Sequence, residues 1–218
     1  LFSSDPNGWI KLESASADVC GFFLTFDSEM SFMDGANFSD GRMRNFAFTE
    51  IQPDGGNKIN IVNSNSEDAA VTLELVNADG TVRSSRSRII TKNGALAADL
   101  FDGLFAGIEP DASDYVRASA AKGMQPFQVL QQAYGDISAL AGQDLTTGGT
   151  TLHSPQYVLG GPYRTHLSVL NLDSREGTVQ FRFVSEEGYQ IGATQYLSIP
   201  ANGKAYIDDQ SFFLTHNP

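Results

Sequence analysis

The chain contains two copies of one pattern of strands and turns, and this internal repeat constrains the fold more than any other feature. Residues 58–63 align with residues 166–171, so that each residue of the first segment lies 108 positions before its counterpart. At the same offset, residues 71–76 align with residues 179–184. A repeat of this length is typical of chains built from similar structural units. The sequence therefore predicts a duplication.

Both copies have the hydropathy pattern of half-buried strands. Ile59 and Ile61 alternate with polar residues, as do Val179, Phe181 and Phe183, and this alternation is typical of antiparallel sheets. Segments rich in Gly and Asn separate the strands and supply the residues that turns need. We predict an all-β fold of two tandem duplicated antiparallel β-sandwich (Ig-like) domains. The expected strands of the first copy are near residues 58–63, 70–77, 81–91, 95–100, 115–119 and 126–134.

The order of these segments resembles a known class of module. A strand that ends in Asn63 precedes an alternating strand and the turn Asp79-Gly80, and a strand that begins Tyr115-Val116-Arg117 closes the unit. This order is similar to β-sandwich modules that recur in secreted and cell-surface proteins of bacteria. The resemblance implies a non-catalytic role outside the cell or at its surface, and it transfers no binding residues.

The phase of the repeat predicts where the units begin. Residues 30–136 are expected to form one complete sandwich, and residues 137–218 a second one that lacks its closing strands. Segments of the closing type lie instead in residues 8–29, which we expect to complete the second sandwich, within the chain or between subunits. The residues expected to form these assembly strands are Trp9, Ile10, Phe22 and Phe23. The alternative is that residues 1–112 and 113–218 fold as independent repeats.

Composition excludes several classes of function. The net charge of −12 and the pI near 4.5 argue against a nucleic-acid partner. No apolar run approaches the length of about 20 residues that a membrane span needs, so we expect no membrane insertion of this segment. The single cysteine, Cys20, excludes an internal disulfide.

The sequence shows no catalytic motif on which a reaction could be assigned. The nucleophile-elbow pattern Gly-x-Ser-x-Gly is absent, and the three histidines, His153, His166 and His216, lack the spacing of a metal site. By strand alternation, His166 and Glu74 are expected to face solvent. We predict that the chain is not an enzyme and has no catalytic residues.

Two acidic segments are candidate calcium sites. Asp34, Asn37 and Asp40 form one set, and Asp111 and Asp114 form the other. Carboxylate and amide oxygens in loops are suitable ligands for Ca²⁺, although the same residue types also form ordinary turns. No other cofactor is expected.

Aromatic residues raise a second functional class. Trp9, Tyr115 and Tyr163 are candidates for rings that stack on sugars. Trp9 and Tyr115 also occupy equivalent repeat positions, which favours a shared core or interface role. We therefore predict an extracellular or cell-surface structural and adhesive protein that associates with itself or with other surface proteins. The alternative is a carbohydrate-binding module with glycan partners, followed by a glycan-active enzyme.

Overall fold

The computed structural model of the chain describes residues 8–15, 19–26, 33–38, 41–131, 137–158, 165–209 and 211–213. These residues form 14 strands, all paired antiparallel, and one short π-helix, Leu100–Leu104, which confirms the predicted all-β antiparallel fold. The strands are β1 (Phe22–Phe26), β2 (Met33–Asn37), β3 (Met43–Phe48), β4 (Gly56–Asn63), β5 (Ala69–Val76), β6 (Val82–Ile90), β7 (Gly94–Asp99), β8 (Tyr115–Gln131), β9 (Ile137–Ala141), β10 (Gln143–Asp144), β11 (Leu167–Leu170), β12 (Gly177–Val184), β13 (Gln190–Ile199) and β14 (Lys204–Ile207).

Strand β8 organises the larger of the sheets, which has eight strands. Its first part, up to Ala120, lies between β3 and β5, and its last part, from Gln125, lies between β4 and β9. Strands β6, β7 and β10 extend the sheet beyond these neighbours. The sequence predicts two strands in this region, whereas β8 is one continuous strand of 17 residues.

The two parts of this sheet share one hydrophobic core. Phe46, Leu73 and Val116 contribute from the side of β3 and β5, and Ile59 and Ile61 contribute from β4, all of them fully buried. The sheet therefore folds over on itself, with β8 belonging to both layers. Strands β9 and β10 belong to this sheet although they follow the predicted boundary at residue 136. A division at residue 112 would separate β8 from the strands that it joins.

Strands β11 to β14 form two smaller sheets, in which β11 pairs with β14 and β12 pairs with β13. A cluster of aromatic rings packs beside the hairpin β12–β13, with centroids 4.9–5.7 Å apart in the contacting pairs. Its members are Tyr157, Phe181, Phe183, Phe212 and Phe213.

The N-terminal hairpin β1–β2 lies against the larger sheet. The ring of Phe23 is 5.2 Å from the ring of Phe127 on β8, and Asp34 Oδ2 accepts a hydrogen bond of 2.7 Å from the backbone N–H of Ala139. Among the described residues, β1 pairs with β2 and not with β11 or β12.

The same turn geometry occurs in both copies of the repeat. Asn63 Nδ2 donates to three carbonyl oxygens, and Asn171 Nδ2, 108 positions later, does the same. Asn93 and Asn202 both have a φ of 53°, in the left-handed region that asparagine tolerates better than most residues. In both copies, one asparagine (Asn63 or Asn171) therefore links backbone segments through its side chain, and another (Asn93 or Asn202) occupies a turn.

Candidate functional site: a junction and an open sheet edge

Lys204 lies at the centre of a contact between the larger sheet and strands β11–β14, which we call the junction. Its side chain is buried, and Nζ donates to the carbonyl oxygens of Thr49, Ala112 and Asp114 at 2.6, 2.7 and 3.0 Å. An ammonium group has three donors, so all three are satisfied by backbone. The backbone N–H of Lys204 also donates to the carbonyl of Ala78, at 2.9 Å. One residue thus holds three loops of the larger sheet.

The charge of Lys204 is costly in this position. Burial lowers the pKa of its ammonium group to about 8, although the nearby carboxylates of Glu50, Asp114 and Asp111 favour the charged form. The ring of Tyr206 lies 5.2 Å from Nζ and provides a further favourable contact for the cation. The junction therefore contains a cation whose proton is held less tightly than in water.

Glu50 and His166 form an ion pair beside Lys204. The distance from His166 Nε2 to Glu50 Oε2 is 3.0 Å. The hydrogen bond to Glu50 raises the pKa of His166 in spite of partial burial. Burial alone would raise the pKa of Glu50, but His166 and Lys204 together lower it. His166 is exposed, as the strand alternation predicts, and its ring also contacts Glu50 and lies 5.5 Å from the ring of Tyr206.

Asp114 contributes a second acidic group to the junction. Its carboxylate accepts a hydrogen bond from the guanidinium group of Arg83, and the residue is almost fully buried. Burial raises the pKa of Asp114 although Arg83 opposes this shift. Arg83 therefore orients the carboxylate while the carbonyl of the same residue binds Lys204.

An aromatic side chain donates to a left-handed asparagine at two places in the molecule. The hydroxyl of Tyr115 donates to the carbonyl oxygen of Asn202 at 2.8 Å. The indole N–H of Trp9 donates to the carbonyl oxygen of Asn93 at 3.2 Å. Trp9 corresponds to Tyr115 in the repeat, and Asn93 corresponds to Asn202. The same donor and acceptor positions therefore meet twice.

Close backbone approach fixes the junction at Gly80. A Cβ at this position would lie 2.1 Å from the carbonyl oxygen of Ala201, and the φ of Gly80 is +86°. Any other residue would be strained by its backbone conformation and would also clash with this carbonyl. The turn after β5 is therefore shaped to accept the turn before β14.

The second feature of the site is the edge of β12 that faces away from β13, which we call the open edge. No described residue pairs with it. The corresponding edge of β5 is covered by β8, with Val71 opposite Ala120 and Val76 opposite Tyr115. Val76 is fully buried, whereas its counterpart Val184 is 52% exposed. An uncovered strand edge of this kind is a site for strand addition.

The N-terminal segment exposes apolar side chains at matching positions. Ile10 is 70% exposed and Leu12 is 62% exposed. Their counterparts on β8, Val116 and Ala118, are 0% and 1% exposed. The segment therefore carries the pattern of a strand that covers an edge, without covering one within the described residues.

Three of the predicted calcium ligands, Asp34, Asp111 and Asp114, are hydrogen-bonded to other groups of the protein. Asp34 accepts hydrogen bonds from the backbone N–H groups of Gly35 and Ala139, and Asp111 accepts from the backbone and hydroxyl of Ser113. Asn37 lies at the end of β2, and the carboxylate of Asp114 is bound to Arg83. Asp40 lies outside the described residues. The described part of the chain contains no group of three or more His, Cys, Asp or Glu residues arranged to hold a metal ion.

Of the three predicted glycan-binding rings, the structure describes Tyr115 and Trp9. Tyr115 is buried at the junction, so its ring face is not available to a sugar. Trp9 is half-buried and bonded to Asn93, and Tyr163 lies outside the described residues. Two strongly exposed rings, Tyr189 and Tyr196, lie on the hairpin β12–β13, at 75% and 62% exposure.

Two features escaped the sequence reasoning. Glu74, expected to face solvent, is bound to Arg117 on β8 through two hydrogen bonds of 2.9 and 2.7 Å. A Ser-x-x-Lys spacing, Ser119 to Lys122, lies on the extended strand β8, where residues three apart point to opposite faces. Lys122 Nζ lies 2.9 Å from Glu67 Oε2. A nucleophile and its base would need to share one face.

Comparisons with protein-family models, with curated proteins and with solved structures find no match for this chain. Within the part of the chain that the structure describes, no helix is both long and apolar enough to pass through a membrane.

Proposed function

We propose that the chain is a non-catalytic structural and adhesive protein of the extracellular space or the bacterial cell surface. In this proposal it consists of two tandem duplicated antiparallel β-sandwich units of Ig-like type, held in a fixed relation by the junction. The first unit contains β3–β9, and the second contains β11–β14. The open edge is the part of the second unit through which the protein associates with partners.

The duplication is supported by hydrogen bonds that repeat at one offset. The Asn63 and Asn171 side chains each bind the carbonyl four residues ahead, at 2.9 Å to Glu67 and 2.7 Å to Arg175. Gly80 and Gly188, also 108 positions apart, have φ angles of 86° and 87°. The same two side chains also donate to the carbonyls of Ile90 and Ile199, 27 and 28 residues ahead, and these contacts depend on the packing of separate strands and not on local sequence alone.

The observation that carries the proposed function is the binding of Lys204 to Thr49, Ala112 and Asp114. Two units that move freely do not need a buried cation between them, because burying a charge is costly unless every donor is satisfied. Here all three donors are satisfied by carbonyls of the neighbouring unit. Such a contact is suited to a structural protein in which the two units keep a fixed orientation.

Small-angle X-ray scattering of the Lys204→Met variant tests this proposal. We expect a larger radius of gyration and faster proteolysis in residues 145–158, because the three carbonyls lose their donor. Lys92→Met, at an exposed turn of the first unit, is the matched control and should scatter as the wild type does. Identical scattering and proteolysis of wild type and Lys204→Met would contradict a fixed junction.

A carbohydrate-binding module is the second candidate, and the exposure of Tyr189 and Tyr196 favours it. Exposed aromatic rings are suited to stack on the apolar faces of sugars. A glycan array should then show binding that is lost in Tyr196→Ala and kept in Tyr206→Phe, since Tyr206 lies at the junction. Absence of binding to any glycan would exclude this candidate.

A further inference from the structure

We propose that the open edge of β12 binds a second copy of this chain, whose residues 9–14 pair with it as an added strand. The inference rests on the proposed tandem arrangement and names the partner of its second unit. The added strand would take the place that residues 115–120 occupy beside β5 in the first unit.

Strand β12, the acceptor of the added strand, has apolar side chains that remain partly exposed. In the first unit Leu73 and Leu75, which lie beside β8 and point into the core, are 0% exposed. Their counterparts Phe181 and Phe183 are only half-buried, although they are larger and pack in the aromatic cluster. The second unit therefore retains apolar surface at the positions where the first unit is closed.

The donor segment has the alternation that this surface requires. Ile10 and Leu12 correspond to the buried Val116 and Ala118, and both are exposed in the chain. Between them stands Lys11, which corresponds to Arg117. In an extended strand Ile10 and Leu12 therefore fall on one face, and Lys11 and Glu13 fall on the other, together with Trp9.

Transfer of the β5–β8 register defines the contacts. Leu75 is opposite Val116 and Leu73 is opposite Ala118, so Ile10 is placed opposite Phe183 and Leu12 opposite Phe181. On the outer face, Glu13 is placed opposite Gln180. These pairs join two apolar side chains on the inner face and two polar ones on the outer face.

One pair in this register is unfavourable, and it provides a sharp test. Arg117 binds Glu74 in the first unit, but the corresponding pair between copies is Lys11 with Arg182. Like charges directly opposite each other weaken strand pairing. Glu13 lies diagonally from Arg182 and offsets this repulsion in part. A substitution that reverses the charge of Lys11 should therefore strengthen the association.

A second copy fits better than the chain's own N-terminal segment, because that segment is held at the first unit. Trp9 is bonded to Asn93, and Phe23 packs on Phe127. A donor segment does not need to break the Trp9 contact, since Tyr115 keeps its own contact with Asn202 while its strand pairs with β5. Each copy would thus give one strand and receive one, which produces an open, head-to-tail assembly.

Cysteine cross-linking tests the contact itself. In a Cys20→Ser background, Glu13→Cys and Gln180→Cys chains are mixed and oxidised, and we expect a disulfide-linked dimer of the two variants. Tyr196→Cys is the matched control for Gln180→Cys, because Tyr196 is the partner of Gln180 on β13 and lies one strand farther from the open edge. Cross-linking that is equal for positions 180 and 196, or absent from both, would overturn the inference.

Sedimentation analysis over a range of concentrations tests the energetics. The 218-residue chain should associate, and Ile10→Asp combined with Leu12→Asp should weaken association by about 100-fold or more, because two charges would be buried. Lys11→Glu should tighten it by about twofold to fivefold. A wild type that stays monomeric, or a Lys11→Glu variant that associates more weakly, would contradict the proposal.

The fixed junction and the binding of a second copy are tested by independent experiments. If the chain is monomeric but Lys204→Met loosens the scattering profile, the fixed junction stands and only the second copy is excluded. If Lys204→Met scatters as the wild type does while the cross-link forms, the second copy binds at the open edge and the fixed junction is excluded.

Discussion

Residues 71–76 and 179–184 have the same alternation of apolar and polar residues, but their surroundings differ. In the first segment Val71, Leu73, Leu75 and Val76 are all 0% exposed. In the second, the inward residues are half-buried and Val184 is 52% exposed. The second segment has the larger side chains, so hydrophobicity does not explain the difference. The neighbouring strand does, since β8 covers the first segment and no described strand covers the second.

This comparison indicates that the burial of these two segments depends on the neighbouring strand more than on their own sequence. The alternation specifies which face of a strand is apolar, and it leaves open whether that face will be covered. Four predictions follow from the comparison, ordered by the size of the expected effect.

Truncation of the inward residues should be more costly in the first unit than in the second. Leu73→Ala is expected to lower the free energy of unfolding by about 3 kcal/mol, because it leaves a cavity in a closed core. Phe181→Ala should lower it by about 1.5 kcal/mol, because water already reaches part of this ring. Urea denaturation followed by circular dichroism measures both values. Equal losses would mean that the second unit is as closed as the first.

Replacing Asn63 by Ala should destabilise the chain more than replacing Asn171 by Ala. Asn63 is fully buried, and its replacement by Ala removes one donor from each of three carbonyls, of which that of Thr91 is also bonded to the backbone N–H of Gly94; we expect a cost of about 3 kcal/mol. Asn171 is partly accessible, so water can replace part of its hydrogen bonding and the cost should be about 1.5 kcal/mol. Thermal unfolding measures the pair, with Asn60→Ala as a control on β4. A larger effect at Asn171 would contradict the comparison.

Val76 and Val184 allow a comparison of identical substitutions. Val76→Ala should cost about 2 kcal/mol, and Val184→Ala less than about 0.5 kcal/mol, since the second side chain is already exposed. If a second copy covers the open edge, the cost at Val184 should rise with protein concentration. Chemical denaturation at low and high concentration tests this, and a concentration-independent value would separate Val184 from the docking surface.

Lys204 should make the free energy of unfolding depend on pH. The corresponding position of the first unit is Ala95, which cannot titrate. The pKa of Lys204 is about 8 in the folded chain and near 10.4 in an unfolded one. Between these values the unfolded chain binds the additional proton, so stability rises with pH. Relative to Lys204→Met, the wild type should gain about 1 kcal/mol per pH unit from pH 8 to 10. Unfolding at several pH values measures this difference, and a flat or falling difference would contradict it.

The strands and turns of the repeat were predictable because their signals are local. Alternation predicts β4, β5 and β12, and the observed bounds differ from the predicted ones by one or two residues at β4 and β5. Asn93 and Gly80 stand at turns where positive φ is observed. Residues with these conformational preferences can be identified without knowledge of their tertiary contacts.

The path of β8 and the junction were not predictable from such signals. Residues 121–123, Ala-Lys-Gly, have no apolar alternation, so the continuity of β8 depends on its neighbours on both sides. Lys204 follows a glycine on a strand of four residues, and nothing in its local sequence indicates burial. Its three acceptors lie between 90 and 155 positions away in the chain. Long-range backbone contacts of this kind carry no pattern in the sequence.

The position of β8 late in its unit has a consequence for synthesis on the ribosome. The chain emerges from its N-terminus, and β3, β4 and β5 all depend on β8 for one of their edges. None of these pairings can form until residues 115–131 have left the exit tunnel, so the strand edges of β3, β4 and β5 stay unpaired by β8 until then. We therefore expect β3, β4 and β5 to reach their final pairing only after β8 has been translated, and their unpaired edges to be open to aggregation before that point.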